Sequence, residues 1–298
     1  MKVAIIGSGS MIASQVSEDL EKEQVELIKG DLNQDIKIDI TNQSSVDSFF
    51  KNNHFQTVIL FAAFTDVNGA EEQRNDKGGI CWKINVEGTS NIVNACKKYN
   101  KKLIFFSTDF IFDGKNGPYD EKETPEDNFD DISWYGITKI EGEKIIKDLL
   151  EDFIILRITY PYSPRSEGKG NMLTRLINLY KSGEMYPLYF DQHTTPTYIP
   201  DIPKAIKILL DKNQKGVFHV ASPSLVSQFD FAKYATELSG ISGPKQLTQK
   251  SIFSDFKNKE FAKRPVLGGL KVSKIRKLGF YPTDWKQGLE KIFKESQN

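Results

Sequence analysis

The chain has 298 residues, and its 40 lysines and arginines are balanced by 40 aspartates and glutamates. That length suits a large α/β domain with a smaller one attached. The zero net charge argues against a nucleic-acid-binding surface, which needs clustered positive charge, while one or two local cations would still serve a small anionic substrate.

An apolar run at residues 2–6 starts a strand at once, without the charged segment, apolar stretch and cleavage site of a signal peptide. No window approaches a membrane span. The strand runs into Gly7-Ser8-Gly9-Ser10-Met11-Ile12-Ala13 and an apolar-periodic segment at 11–20. Strand, glycine turn and helix N-terminus form a site for a pyrophosphate, because free N–H groups and the helix dipole face the ligand. The spacing departs from the usual glycine pattern at Ser10 and Ala13.

Further strands are expected at 25–28 and 57–61, with helices at 44–51 and 79–98. Lys29 and Asp31 follow the second strand and pull in opposite directions, the first toward a 2′-phosphate and the second toward a free 2′-hydroxyl. The choice between NADPH and NADH therefore stays open. Asp39-Ile40-Thr41 offers a carboxylate to an adenine amino group. Ala62-Ala63-Phe64 provides small residues against which a ribose and nicotinamide can lie, and Asn85 is placed to brace strand ends.

The run at 103–107 ends in Ser107-Thr108-Asp109-Phe110, and a helix is expected over 135–150, starting at Tyr135-Gly-Ile-Thr-Lys139. Tyr135 and Lys139, four apart, share one helix face. A hydroxyl, a phenol and an ammonium then meet at the C-terminal edge of a sheet, where open α/β folds bind ligands. Such a group can protonate a carbonyl oxygen while a nicotinamide delivers hydride to the carbon. A free tyrosine has a pKa near ~10, so Lys139 is expected to lower it by favouring the phenolate.

A strand at 153–158 closes this half, and another run follows at 217–221. Alternation of strands and helices implies an α/β fold, a Rossmann-like doubly wound parallel sheet with right-handed crossovers. Beyond residue 158 the chain carries most of its 12 prolines, with helical patterns near 172–181, 203–211, 228–239 and 284–293. The expected division is a dinucleotide-binding domain over 1–160 and a smaller C-terminal substrate-binding lobe over 161–298, with about 190–212 packing back on the sheet. Cys81 and Cys96 fit neither a metal motif nor a redox pair, and no metal site is expected. His54, His193 and His219 lack partner spacing, and Arg157 reads as structural.

These motifs together resemble the extended short-chain dehydrogenase/reductase superfamily and, within it, the dTDP-4-dehydrorhamnose reductase family. The resemblance runs through Phe61–Thr65, Ser107–Gly114, Pro118-Tyr119, Tyr135–Lys139 and Leu156–Tyr160. It continues in Asp191-Gln192, Pro196-Thr197-Tyr198 and Lys263-Arg264-Pro265. Related dehydratases carry Thr-Asp-Glu where this chain has Thr108-Asp109-Phe110, so the acid/base for water loss is missing. Epimerases of the superfamily usually lack the Phe-Asp-Gly at 112–114. Besides the glycine loop at Ser10 and Ala13, two further departures from the family are Phe110, where tyrosine is frequent, and Tyr160, where tryptophan is.

The resemblance implies NADPH- or NADH-dependent reduction of the 4-keto group of a nucleotide-linked deoxysugar, most simply dTDP-4-dehydrorhamnose to dTDP-rhamnose. Thr108, Tyr135 and Lys139 would be catalytic. Gly7, Gly9, Ser10, Met11, Ile12, Asp39, Ile40, Ala62, Ala63 and Phe64 would hold the cofactor with Tyr135 and Lys139. Thr108, Asp109, Phe110, Tyr160 and Arg264 would contact the nucleotide sugar, Arg264 at its diphosphate. The expected protein is cytoplasmic and binds neither nucleic acid nor membrane, with a homodimer left open. The alternatives are a non-catalytic regulatory subunit resembling the methionine adenosyltransferase β subunit, or a reductase or epimerase for another sugar nucleotide.

Overall fold

The computed structural model describes residues 2–125, 129–163, 171–241, 246–258 and 261–295. The strands are β1 (Lys2–Ile6), β2 (Glu26–Asp31), β3 (Ile36–Lys37), β4 (Thr57–Leu60), β5 (Lys102–Thr108), β6 (Phe153–Ile158), β7 (Leu188–Tyr189), β8 (His193–Thr194), β9 (Gly216–His219), β10 (Val226–Ser227) and β11 (Gln249–Lys250). The larger helices are α1 (Met11–Lys22), α2 (Gln43–Asn52), α3 (Val67–Glu71), α4 (Ile80–Trp82), α5 (Thr89–Tyr99), α6 (Trp134–Leu149), α7 (Met172–Ser182), α8 (Asp201–Asp211), α9 (Gln228–Ser239), α10 (Ser273–Arg276) and α11 (Trp285–Glu295).

Seven strands form one sheet in the order β3-β2-β1-β4-β5-β6-β9, and every pairing in it is parallel. The inner strands are continuous apolar runs because both faces are covered. One face packs Val3, Ile5, Ile104 and Leu156 against Val16 and Leu20 of α1 and against Ile202, Ile206 and Leu209 of α8. The opposite face packs Ala4, Val58, Leu103 and Ile155 against Phe49 of α2, Ile92 of α5 and Ile146 of α6. A third core, around Tyr162, Phe231, Trp285 and Leu289, joins α7, α9 and α11 into a separate lobe. Among the described residues no helix is long and apolar enough to cross a membrane.

The expected helix over 79–98 is interrupted. Residues Lys83–Gly88 form a π-helical turn between α4 and α5, a local widening that occurs often at functional sites. The second strand runs farther than expected, to Asp31, and so carries that carboxylate to the sheet edge.

Two strands of the main sheet and helix α6 are tied beneath the edge through one buried guanidinium. Arg157 of β6 donates to both carboxylate oxygens of Glu143 of α6, at 2.8 and 2.7 Å. His219 of β9 stands 3.4 Å from the same guanidinium, and its other ring nitrogen is 2.9 Å from the Lys271 carbonyl oxygen. Arg157 is thus structural, and His219 has partners that its sequence spacing does not reveal. Burial and Arg157 hold the His219 imidazole down at about 3.

Candidate active site

Strand order alone gathers the site. β1, β4, β5 and β6 occupy four consecutive places in the sheet. They are parallel, so the segments that follow them emerge at one edge: Gly7–Ser10, Ala62–Phe64, Thr108–Phe110 and Tyr160. The order reverses direction between β1 and β4, the switch point at which doubly wound folds take ligands.

The glycine turn has the properties of an anion cradle. Gly7 has φ +84°, and a Cβ there would stand 2.4 Å from the Ala62 nitrogen, so only glycine fits. Ser8 is buried, and its hydroxyl has no hydrogen-bond partner. Ser10 caps α1, its Oγ accepting from the Ala13 N–H at 3.3 Å, which leaves the Met11 and Ile12 N–H groups without intrahelical acceptors. The departure at Ser10 is therefore a helix cap. An uncommitted buried hydroxyl and a glycine pressed on the neighbouring strand suit a dinucleotide pyrophosphate.

Beside the turn, Asn85 of the π-helical stretch fixes the end of β4. Its Oδ1 accepts from the Phe64 N–H at 2.8 Å, and its Nδ2 donates to the Phe64 carbonyl at 3.0 Å and to Thr138 Oγ1 at 2.9 Å. The expected bracing role of this amide is what the structure has. Asp39 spends one carboxylate oxygen on Thr41, accepting from its N–H at 2.9 Å and its hydroxyl at 2.7 Å. Ile40 is buried, with its carbonyl held by Asn91 at 2.8 Å.

Helix α6 delivers the phenol and the ammonium. Ser133 caps it, accepting from the Gly136 N–H at 3.2 Å. A Cβ at Gly136 would stand 2.2 Å from the Phe110 carbonyl oxygen. The absent side chain lets the first turn of α6 press on the backbone that follows β5. Tyr135 consequently meets the Phe110 ring edge-on at 5.9 Å. Lys139 is 3% exposed, with its Nζ 4.0 Å from the centre of the Phe105 ring. Thr108 Oγ1 accepts from the Phe110 N–H at 3.2 Å.

The electrostatics depart from expectation. Burial, with Asp109 and Cys81 nearby, pushes the Tyr135 phenol above its ordinary value. Burial also pulls the Lys139 ammonium down to about 7, against the attraction of Glu143 and Cys81. Lys139 therefore does not lower Tyr135 here: its own charge is penalised by the same burial, and the nearby carboxylate acts the other way. Asp109 also differs from its expected place at the sugar. It is 1% exposed, and its Oδ2 accepts from the Gly269 N–H at 3.0 Å, so it anchors a late segment beneath the site. Burial raises its carboxyl above the usual range.

On the other side of Phe110 stands Tyr160, its ring 6.0 Å away. Tyr160 has φ +38°, a left-handed conformation that costs an aromatic residue strain and that clusters at functional sites. Gln192 Nε2 donates to its hydroxyl at 3.0 Å. Tyr160 and Arg264 line a cavity of about 320 Å³ between α7, α9 and β8. Arg175, Tyr186, Tyr189, Gln228 and Phe231 also line it, giving two guanidinium groups, aromatic faces and amides in one space. Arg264 donates to Asn68 Oδ1 of α3 at 2.9 Å and to the Ala262 carbonyl at 3.0 Å. The whole of residues 1–298 matches the model of the RmlD substrate binding domain.

The chain belongs to that family. It is 28% identical over 303 residues to the dTDP-4-dehydrorhamnose reductase of Aggregatibacter actinomycetemcomitans, covering 98% of each chain. Its fold superposes on the crystal structure of the Bacillus anthracis dTDP-4-dehydrorhamnose reductase in complex with NADP. The TM-score is 0.86 and the identity 28%, over 99% of each chain. A dTDP-4-dehydrorhamnose reductase ortholog from Clostridium acetobutylicum gives the same score at 29% identity over all of both chains.

The edge brings together Gly7, Gly9, Ser10, Ala62, Ala63, Phe64, Thr108, Phe110, Tyr135, Lys139 and Tyr160. Arg264 comes from the far lobe. Arg175 and Tyr186 carried no sequence signal: one is an exposed cation on an ordinary amphipathic helix, and the other lies in a proline-containing connection. Among the described residues no group of three or more His, Cys, Asp or Glu is placed to hold a metal ion.

Proposed function

We propose that this chain is an NAD(P)H-dependent reductase of the 4-keto group of a nucleotide-linked deoxysugar, converting dTDP-4-dehydrorhamnose to dTDP-rhamnose. The reading is carried by Phe110, whose N–H bonds Thr108 Oγ1 and whose ring touches both Tyr135, one helical turn before Lys139, and Tyr160 of the cavity that Arg264 lines. The family, and relatives named as reductases, support it over a regulatory-subunit reading, in which nothing would require all three side chains.

Residues 1–160 carry the dinucleotide in this reading, and most of 161–298 carries the sugar nucleotide. When bound, the reduced nicotinamide supplies a hydride to the carbonyl carbon. Tyr135 donates its proton to the developing alkoxide as general acid. A phenol is protonated at neutral pH and so has a proton to give, while the upward push of burial makes it a weaker acid than a free tyrosine. Thr108 hydrogen-bonds the carbonyl oxygen and fixes its angle. Lys139 holds the nicotinamide ribose through a head that is otherwise poorly solvated. Met11 and Ile12 offer N–H groups to the pyrophosphate, with Ser8 beside them. Arg264 and Arg175 bind the sugar diphosphate, to which a guanidinium fork is matched, and the cavity aromatics take the base. Two free, buried cysteines suit a reducing cytoplasm.

The test is turnover of dTDP-4-dehydrorhamnose with either reduced dinucleotide, with the product sugar identified by NMR. Formation of dTDP-rhamnose is the expected result. Dinucleotide binding without turnover of this sugar, alongside turnover of another nucleotide-linked ketosugar, would move the assignment to that substrate.

A further inference from the structure

Two polar side chains are buried along α1. Ser17 is satisfied inside the helix, its hydroxyl donating to the Ala13 carbonyl at 2.6 Å. Gln15, 5% exposed, reaches out of it instead. Its Oε1 accepts from the Ser163 hydroxyl at 2.5 Å, across 148 residues of chain. A buried amide costs stability unless a partner takes it, so this bond fixes α1 and the start of the second lobe to each other.

Ser163 is itself fully buried, and its carbonyl accepts from Asn171 Nδ2 at 3.1 Å. Asn171, also buried, is the N-cap of α7. Its Oδ1 accepts from the Leu173 and Thr174 N–H groups at 2.9 and 3.3 Å, and its carbonyl accepts from the Arg175 N–H at 3.0 Å. One helical turn therefore separates the cap from Arg175, and both line the cavity that Tyr160 and Arg264 share. The path starts on the helix that faces the pyrophosphate and ends at a guanidinium of the sugar-nucleotide cavity. Gln15 and Ser163 lie outside both the glycine turn and the Thr108, Tyr135 and Lys139 group.

We propose that Gln15 is a positioning residue for the sugar nucleotide: by holding Ser163 it fixes the start of α7 and, with it, the Arg175 guanidinium. The proposal rests on the reading above that Arg175 meets the substrate diphosphate. It assigns a residue of the dinucleotide helix to the other ligand. A role confined to packing α1 would weaken dinucleotide binding first, because the N-terminus of that helix faces the pyrophosphate.

The experiment compares the wild-type full chain with Gln15→Leu, Ser163→Ala and the double variant. Calorimetric titration measures dTDP and, separately, NADH and NADPH, and steady-state kinetics follows dTDP-4-dehydrorhamnose. Affinity for dTDP needs no turnover, so it reads the proposal whichever ketosugar is reduced. Each single variant should weaken dTDP and raise KM for the sugar about fivefold, the size of one ordinary hydrogen bond. Dinucleotide affinity and kcat should stay within about twofold. The double variant should fall no further than either single one, because two residues acting through one contact are not additive. Gln15→Glu keeps an acceptor for the Ser163 hydroxyl and should restore dTDP affinity to within about twofold of the wild type. Thermal melting confirms that each chain is folded, and Ser163→Ala, which removes a single oxygen, disturbs the packing least.

Weakened dinucleotide binding with unchanged dTDP affinity overturns the proposal and confines Gln15 to the packing of α1. So do losses that multiply in the double variant, or a Gln15→Glu chain as impaired as Gln15→Leu. A wild type that binds dinucleotide but no dTDP overturns the proposal together with the placing of the substrate diphosphate in this cavity.

Discussion

Lys139 shows how one residue can be readable in kind and unreadable in state. Its spacing from Tyr135 placed both on one helix face, and the structure keeps them there. Its charge state follows from burial, a property of the assembled fold that no local pattern carries. An unfolded lysine titrates near ~10.4, whereas Lys139 in the folded chain is held down at about 7. Between those values the unfolded chain holds a proton that the folded chain has released, so stability should rise with pH across that window and be flat below it. Lys139→Met is expected to remove this rise. The variant should be more stable than the wild type at pH ~7 by on the order of 1–3 kcal/mol, the difference closing toward pH ~10. Denaturant unfolding at several pH values measures it, and parallel curves for the two proteins would contradict the buried-ammonium account. Asp109 teaches the same lesson from the other side. The family resemblance implied a sugar contact, but its partner, Gly269, lies 160 residues away.

At the scale of elements, the sheet was the most legible part, because buried parallel strands write themselves as apolar runs. Its boundaries were less so. β2 gained three residues beyond the expected end, through pairing with β1 and β3 that propensity does not encode. The helix over 79–98 has a uniform pattern, and its π-helical turn comes from tertiary demands on Asn85, which must reach both Phe64 and Thr138. Removing that amide should therefore be felt on both sides. Asn85→Ala is expected to lose about 1–3 kcal/mol of stability, the cost of leaving buried polar groups unpaired. It should also weaken dinucleotide binding, since the Phe64 backbone would no longer be fixed. Urea titration and binding calorimetry check the two effects, and a loss of stability with unchanged affinity would restrict Asn85 to a packing role.

For the whole molecule, the sequence indicated two parts but gave little of how they meet. α8 packs back on the sheet as expected for about 190–212, but β9 also joins the sheet and the segment carrying Arg264 crosses to Asn68 of α3. Such contacts join residues far apart in the chain, beyond the reach of periodicity. The cavity that Arg264 lines is built almost wholly from the second part, with Tyr160 at its boundary with the first. Arg264→Ala should raise KM for the nucleotide sugar about tenfold or more while leaving dinucleotide affinity within about twofold, because one guanidinium–phosphate contact is lost from binding. Steady-state kinetics beside dinucleotide titration separates the two, and a fall in kcat with unchanged KM would assign Arg264 to the reaction centre instead.

The central claim is that a phenol at this sheet edge protonates a sugar ketone, and the most direct measurement compares wild type with Tyr135→Phe. Loss of reduced-nicotinamide absorbance would be followed with dTDP-4-dehydrorhamnose, and dinucleotide affinity measured in parallel. The account predicts turnover by the wild type and a fall in kcat of at least about a hundredfold in the variant, the range expected for losing a positioned acid, with dinucleotide affinity nearly unchanged. A variant that reduces the sugar as fast as the wild type would contradict it.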